Sequence, residues 1–118
     1  MTEIKHADLD MIQTVTGVTF NDLVLEASGP VAVEFMSYGC GFCRAIEPIL
    51  QQVTQKLHSE VKIFRVNVPA QSDLAGSYGI EGTPTFLMFL NGIEIARSEG
   101  PNPTIENITA MLTQPFNM

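Results

Sequence analysis

The sequence predicts an α/β fold, with a central mixed β-sheet of about five strands flanked by about four helices. Three observations carry that reading. Strand-like segments alternate with helix-like segments through the first two-thirds of the chain, and helical crossovers permit parallel pairing. Asn91-Gly92 between two apolar runs is the strongest short hairpin signal, and it adds antiparallel pairing. The run Val31-Ala32-Val33-Glu34-Phe35-Met36 lacks the alternation of a half-exposed strand, as expected for one buried on both faces.

Taken in order, Ile12 to Val18 is β-branched and alternating, the pattern of a short strand. Thr19 with Asp22 three positions on resembles a capping box, opening a short helix that Gly29-Pro30 ends. The central strand follows. Ile46, Ile49, Leu50, Val53 and Leu57 then recur at helical spacing, so a helix is expected from about Gly41 to His58, with Pro48 inside it. Val61 to Val68 reads as an alternating strand and Gln71 to Tyr78 as a short helix. Thr85 to Leu90 and Ile93 to Ser98 form the hairpin. Asn102 as N-cap and Pro103 at the first helical position open a last helix to about Thr113. The first eleven residues are polar and read as an N-terminal arm, and 12–118 as a single domain.

Composition narrows the function classes. With 6 Lys+Arg against 13 Asp+Glu the formal charge is −7, and no basic patch exists to meet a phosphate backbone, so nucleic acid is not an expected partner. No stretch approaches the ~20 apolar residues of a membrane span. Residues 1–11 hold Glu3, Lys5, His6, Asp8 and Asp10 and no apolar signal core, so a cytoplasmic location is expected.

The two cysteines form the unit Cys40-Gly41-Phe42-Cys43 at the junction of the central strand and the long helix. So short a loop constrains the unfolded chain little, and the pair reads as chemical rather than structural. A thiol at a helix N-terminus meets unpaired N–H groups and the positive end of the helix dipole, and both favour the thiolate. Cys43, one turn in, lies on the same face and deeper. Cys40 is thus the candidate nucleophile and Cys43 the candidate resolving thiol. Zinc would need about four ligands. Only His6 and His58 could supplement the pair, and neither stands at ligand spacing, so neither a metal nor any other cofactor is expected.

Two further features stand out. Thr83-Pro84 precedes a strand, where the proline can be cis or simply begin the strand in trans. Glu34 interrupts the apolar central strand six residues before Cys40, and a carboxylate there must be paired, hydrogen-bonded or protonated unless it is partly exposed.

Val33-Glu34-Phe35, Cys40-Gly41-Phe42-Cys43-Arg44, Pro48, Tyr78-Gly79-Ile80-Glu81-Gly82-Thr83-Pro84-Thr85, Asn91-Gly92 and Gly100 together resemble the thioredoxin family in order and spacing, from Phe20 to about Leu112. The resemblance implies a thioredoxin fold and a cis peptide before Pro84. It implies that Thr83 offers backbone groups to an extended substrate, and that Gly39, Gly41, Phe42 and Gly100 line the groove around Cys40. Glu34 matches the family's buried aspartate and would accept the Cys43 proton. Arg65 falls where the family commonly has a lysine, and a Glu34–Arg65 contact is expected to weaken Glu34 as a base. The chain departs from the pattern in having no tryptophan, with Gly39 and Met36 at the two usual positions, and in having Phe42 for the usual proline.

The expected function is that of a thiol–disulfide oxidoreductase that reduces protein disulfides and is itself reduced by a reductase of the thioredoxin-reductase type, acting as a monomer. An isomerase or oxidant of less reducing potential, and a redox-inactive binding module, stand as alternatives.

Overall fold

In the computed structural model, which describes residues 10–118, the sheet has the strand order β1-β3-β2-β4-β5. The strands are β1 (Gln13–Thr14), β2 (Pro30–Met36), β3 (Lys62–Asn67), β4 (Thr85–Leu90) and β5 (Ile93–Glu99). β2 pairs in parallel with β3 and antiparallel with β4, and β5 closes the far edge through the hairpin. Three α-helices accompany them: α1 (Gly41–Leu57), α2 (Ser72–Ser77) and α3 (Ile105–Thr113). A fourth helical segment, Asn21–Leu25, is π-helical. The expected mixed sheet of five strands with about four helices is the observed one.

Each face of the sheet is covered. Ile46, Leu50 and Val53 of α1 and Ile108 and Leu112 of α3 pack with Ala32, Ile63, Phe86 and Met88 on one side. Phe20, Val24 and Ala75 pack with Val31, Val33, Phe35, Phe64, Val66, Leu87 and Phe89 on the other. Tyr78 joins this second cluster, its ring centroid 5.5 Å from Phe20 and 5.9 Å from Phe89. Alternation along β2 sends Val31, Val33 and Phe35 one way, and Ala32 and Glu34 toward the α1 side.

Several boundaries differ from the pattern-based expectation, each for a local reason. The strand expected over Ile12–Val18 is confined to Gln13–Thr14, because the chain turns at Thr16, whose N–H donates to the Thr19 hydroxyl at 2.9 Å. That hydroxyl therefore faces backward and does not cap the following turn. The segment after it ends at Leu25, well before Gly29, closed by the five-residue bond of Glu26 N–H to the Asn21 carbonyl. β3 is buried at four consecutive positions, Ile63 to Val66, instead of alternating, because helices lie on both faces of the sheet. The last helix begins at Ile105: of two cap-type residues close in sequence, Thr104 is the one whose hydroxyl accepts from Asn107 N–H, at 3.1 Å.

The hairpin turn behaves as its sequence demands, with Asn91 at φ 51° and Gly92 at φ 82°. Tertiary packing adds a second constraint, since a Cβ on Gly92 would stand 2.1 Å from the Leu25 carbonyl oxygen. Of the expected N-terminal arm, residues 1–9 lie outside the described residues. Asp10 and Met11 are tied down through Gln51, whose side-chain amide donates to Asp10 at 2.7 Å and accepts from Met11 N–H at 3.0 Å.

Candidate active site

β2 delivers the chain through Ser37-Tyr38-Gly39 to Cys40, the N-cap of α1. The loop is pinned at both ends: Cys40 N–H donates to the Ser37 carbonyl at 3.1 Å, and the Arg44 guanidinium donates to the Tyr38 carbonyl at 3.1 Å. The sulfur of Cys40 takes the place of an N-cap oxygen, accepting from Cys43 N–H at 3.1 Å. Both cysteines are free thiols, Cys40 partly exposed and Cys43 buried. Opposite them the Thr83–Pro84 peptide is cis. The Cys40 thiol lies 3.5 Å from the Thr83 carbonyl, to which it donates.

Gly100 sits beside this pair. Its N–H donates to the Pro84 carbonyl at 2.9 Å, its φ is +59°, and a Cβ there would stand 3.3 Å from the Phe42 ring. Phe42 is 40 % exposed, so it lies over Gly100 as an apolar wall next to Cys40. Gly39 and Gly41 flank Cys40 along the chain and are exposed. The structure thus brings Cys40, Cys43, Phe42, Thr83, Pro84 and Gly100 to one place, reached from three separate parts of the sequence.

The two thiols have opposite electrostatics. Burial alone would raise the pKa of Cys40, but hydrogen bonding from Cys43 and from the Phe42 backbone N–H brings it below that of a free thiol. Burial, reinforced by Cys40, pushes Cys43 up to about 11. Cys40 is therefore the sulfur that ionises first.

Glu34 is fully buried, so a partly exposed carboxylate is excluded, and neither of its oxygens has a hydrogen-bond partner among the described residues. Burial pushes its pKa from 4.5 to about 8; the Glu47 charge adds to the rise, Arg65 opposes it and Cys40 adds to it. The expected contact with Arg65 exists only as a long-range ion pair. Arg65 Nε stands 3.9 Å from Glu34 Oε1, beyond hydrogen-bond reach, and Nε is likewise without a partner among the described residues. The terminal nitrogens of Arg65 are engaged elsewhere, Nη1 donating to Asp10 at 3.1 Å and Nη2 to Glu47.

Sequence reasoning missed Asp10 and Glu47. Glu47 had a signal, since it stands four residues after Cys43 and so one turn along the same helix face. Asp10 had none, because its partner is 55 positions away. His58 follows the C-terminal end of α1, opposite the end that carries the cysteines, and His6 lies outside the described residues.

Residues 11–114 match the sequence profile of the thioredoxin family. Thioredoxin 1 of Synechococcus elongatus is 34% identical over 101 residues, covering 84% of this chain and 94% of that protein. The thioredoxin of Pseudomonas aeruginosa is 35% identical over 81 residues, 69% of this chain and 75% of its own length. Among solved structures, the crystal structure of Malassezia sympodialis thioredoxin (Mala s 13) superposes with a TM-score of 0.77 at 28% identity, covering 87% of this chain and 89% of that one.

Proposed function

The chain belongs to the thioredoxin family of thiol–disulfide oxidoreductases, and we propose that within it this protein is a reductant of protein disulfides that works through Cys40 and Cys43. The observation that carries the reading is the geometry at Cys40: its sulfur accepts from Cys43 N–H at 3.1 Å and faces the Thr83 carbonyl at 3.5 Å. A donor at the sulfur supports the thiolate, and a backbone carbonyl across from it offers a place for an extended substrate strand.

The cycle follows. The Cys40 thiolate attacks one sulfur of a substrate disulfide, forming a mixed disulfide and releasing the other sulfur as a thiolate. Cys43 then loses its proton and attacks Cys40 Sγ. The substrate leaves as two thiolates, which take protons from solvent to give the dithiol, and the two electrons it gained correspond to the new Cys40–Cys43 disulfide. In its ionised form, which grows as the pH approaches 8, Glu34 takes the Cys43 proton, and its burial and raised pKa let it hold that proton. Phe42, Gly39, Gly41 and Gly100 give the substrate an apolar, open approach, and Thr83 with Pro84 forms the opposite wall. A reductase of the thioredoxin-reductase type returns the pair to dithiol. The setting is the cytoplasm, and the protein acts as a monomer.

A specific feature favours a second reading, an isomerase or oxidant. Phe42 has a backbone N–H that helps to hold Cys40 as thiolate, and a proline in its place would have none. Stabilising the reduced form raises the potential. The reduction potential of the pair separates the two readings. Thiol trapping in dithiothreitol and glutathione buffers is expected to give about −250 mV or lower for a reductant. A value near roughly −180 mV or above would reverse the direction of flow. A pair that forms no disulfide in any buffer would overturn the enzymatic reading itself.

A further inference from the structure

Arg65 is an unusual neighbour for the buried acid. Its side chain is 5% exposed, and it carries a charge that would pair with Glu34 across adjacent strands, where the two residues stand in register. Yet the facing atoms, Nε and Oε1, are 3.9 Å apart and both lack a hydrogen-bond partner among the described residues. A hydrogen bond between them would be favourable in so buried a setting, and the separation of 3.9 Å goes with how the rest of the guanidinium is held. The guanidinium is gripped at its other end: Nη1 by Asp10 and Nη2 by Glu47. Asp10 and Glu47 are in turn joined through Gln51, whose amide donates to both, at 2.7 and 2.8 Å.

We propose that Asp10 and Glu47 are positioning residues that draw the Arg65 guanidinium outward, off Glu34, and so leave Glu34 able both to take and to return the Cys43 proton. A shift of about 1 Å would bring Nε to hydrogen-bond distance of Glu34 and fix the carboxylate in its charged form, a poorer base. The groups that act on Glu34 are Arg65 from β3 and Cys40 and Glu47 from the start and body of α1. On β4 its register partner is Phe86, which carries no charge. Asp10 is not among the groups acting directly on Glu34, so its influence runs through Arg65. The consequence for turnover rests on the proton-accepting role proposed above; the grip itself does not.

The test reads the Glu34 carboxyl directly by 13C NMR pH titration, assigned with Glu34→Gln. It is done in the Cys40→Ser/Cys43→Ser chain, where no thiol titrates. Asp10→Asn, at a partly exposed side chain, is expected to lower the Glu34 midpoint by about one pH unit, a tenfold change in proton affinity. With Arg65→Gln as background the same change is expected to have no effect. If Arg65→Gln does not fold, Arg65→Lys serves, since an ammonium lacks the planar fork whose two ends reach Asp10 and Glu47, and Asp10→Asn should then shift the midpoint less than half as far. A midpoint unmoved by Asp10→Asn, or a shift that survives in full on the Arg65 variant that folds, would overturn the proposal. In the chain with both cysteines, Asp10→Asn is expected to move the pH profile of disulfide reduction in the acid direction. A moved midpoint with an unmoved rate profile would overturn the link to turnover. A wild type that reduces no disulfide would overturn the proposed function and leave the titration test standing.

Discussion

Glu34 and Arg65 stand side by side on neighbouring strands, carboxylate oxygen to guanidinium nitrogen at 3.9 Å, neither atom hydrogen-bonded among the described residues. Burial, with no hydrogen bond from Arg65 to offset it, raises the Glu34 midpoint in the folded chain to about 8, whereas the ordinary value is 4.5. Between those values the folded state binds a proton that the unfolded state has released, so stability falls as pH rises through this window. The slope is at most about 1.4 kcal/mol per pH unit inside the window and vanishes outside it, so the loss is absent below the window and complete above it. Glu34→Gln removes the titration. Urea denaturation from pH 5 to 8.5 is expected to show the variant gaining on the wild type steadily with pH. Parallel curves would mean that Glu34 is charged in the fold.

The two thiols should be separable by alkylation. Cys40 is partly exposed with a lowered pKa, and Cys43 is buried with its pKa pushed up to about 11. With iodoacetamide at pH 7, mass spectrometry of the reduced protein is expected to find Cys40 modified at least about tenfold faster than Cys43. Equal rates would remove the assignment of nucleophile and resolving thiol.

Phe42→Pro deletes one N–H that supports the Cys40 thiolate, in the first turn of α1 where proline is tolerated. The thiol pKa of Cys40 is expected to rise, and the reduction potential to become more negative by about 30 mV, the equivalent of one charge-assisted hydrogen bond. An unchanged potential would show that the Phe42 ring, rather than its backbone, is what matters at this position.

Gly100→Ala places a Cβ at φ +59° and 3.3 Å from the Phe42 ring. The backbone conformation alone costs about 1 kcal/mol for a residue with a side chain. The half-exposed ring can swing away, so the loss of stability stays near that figure while the wall beside Cys40 moves. A double-mutant cycle with Phe42→Ala is expected to show a coupling of about 0.5 kcal/mol in denaturant melts, together with lower kcat/KM for protein disulfides in Gly100→Ala. Additive effects would place the ring elsewhere in solution.

Much of this molecule is legible in its sequence alone, because the signals are local. The hairpin at Asn91-Gly92 follows from the positive φ that both residues tolerate, and the long helix follows from the spacing of Ile46, Leu50 and Val53. Cys40 and Cys43 fall at a strand-to-helix junction that can be read directly, and with it which sulfur is the more exposed. The apolar run of β2, broken only by Glu34, marks it as buried on both faces, whereas β3 reads as alternating, although Phe64 and Arg65 are as enclosed as their neighbours. What the sequence could not state are relations between residues far apart along the chain. Phe42 lies on Gly100, Gly92 lies against Leu25, and Arg65 is held between Asp10 and Glu47. Each depends on where the folded sheet brings separate elements together, at ångström precision, and pattern and propensity carry no such information. The chemistry of the cysteine pair is written in four consecutive residues; the state of the buried acid beneath it is decided by which way one guanidinium is pulled.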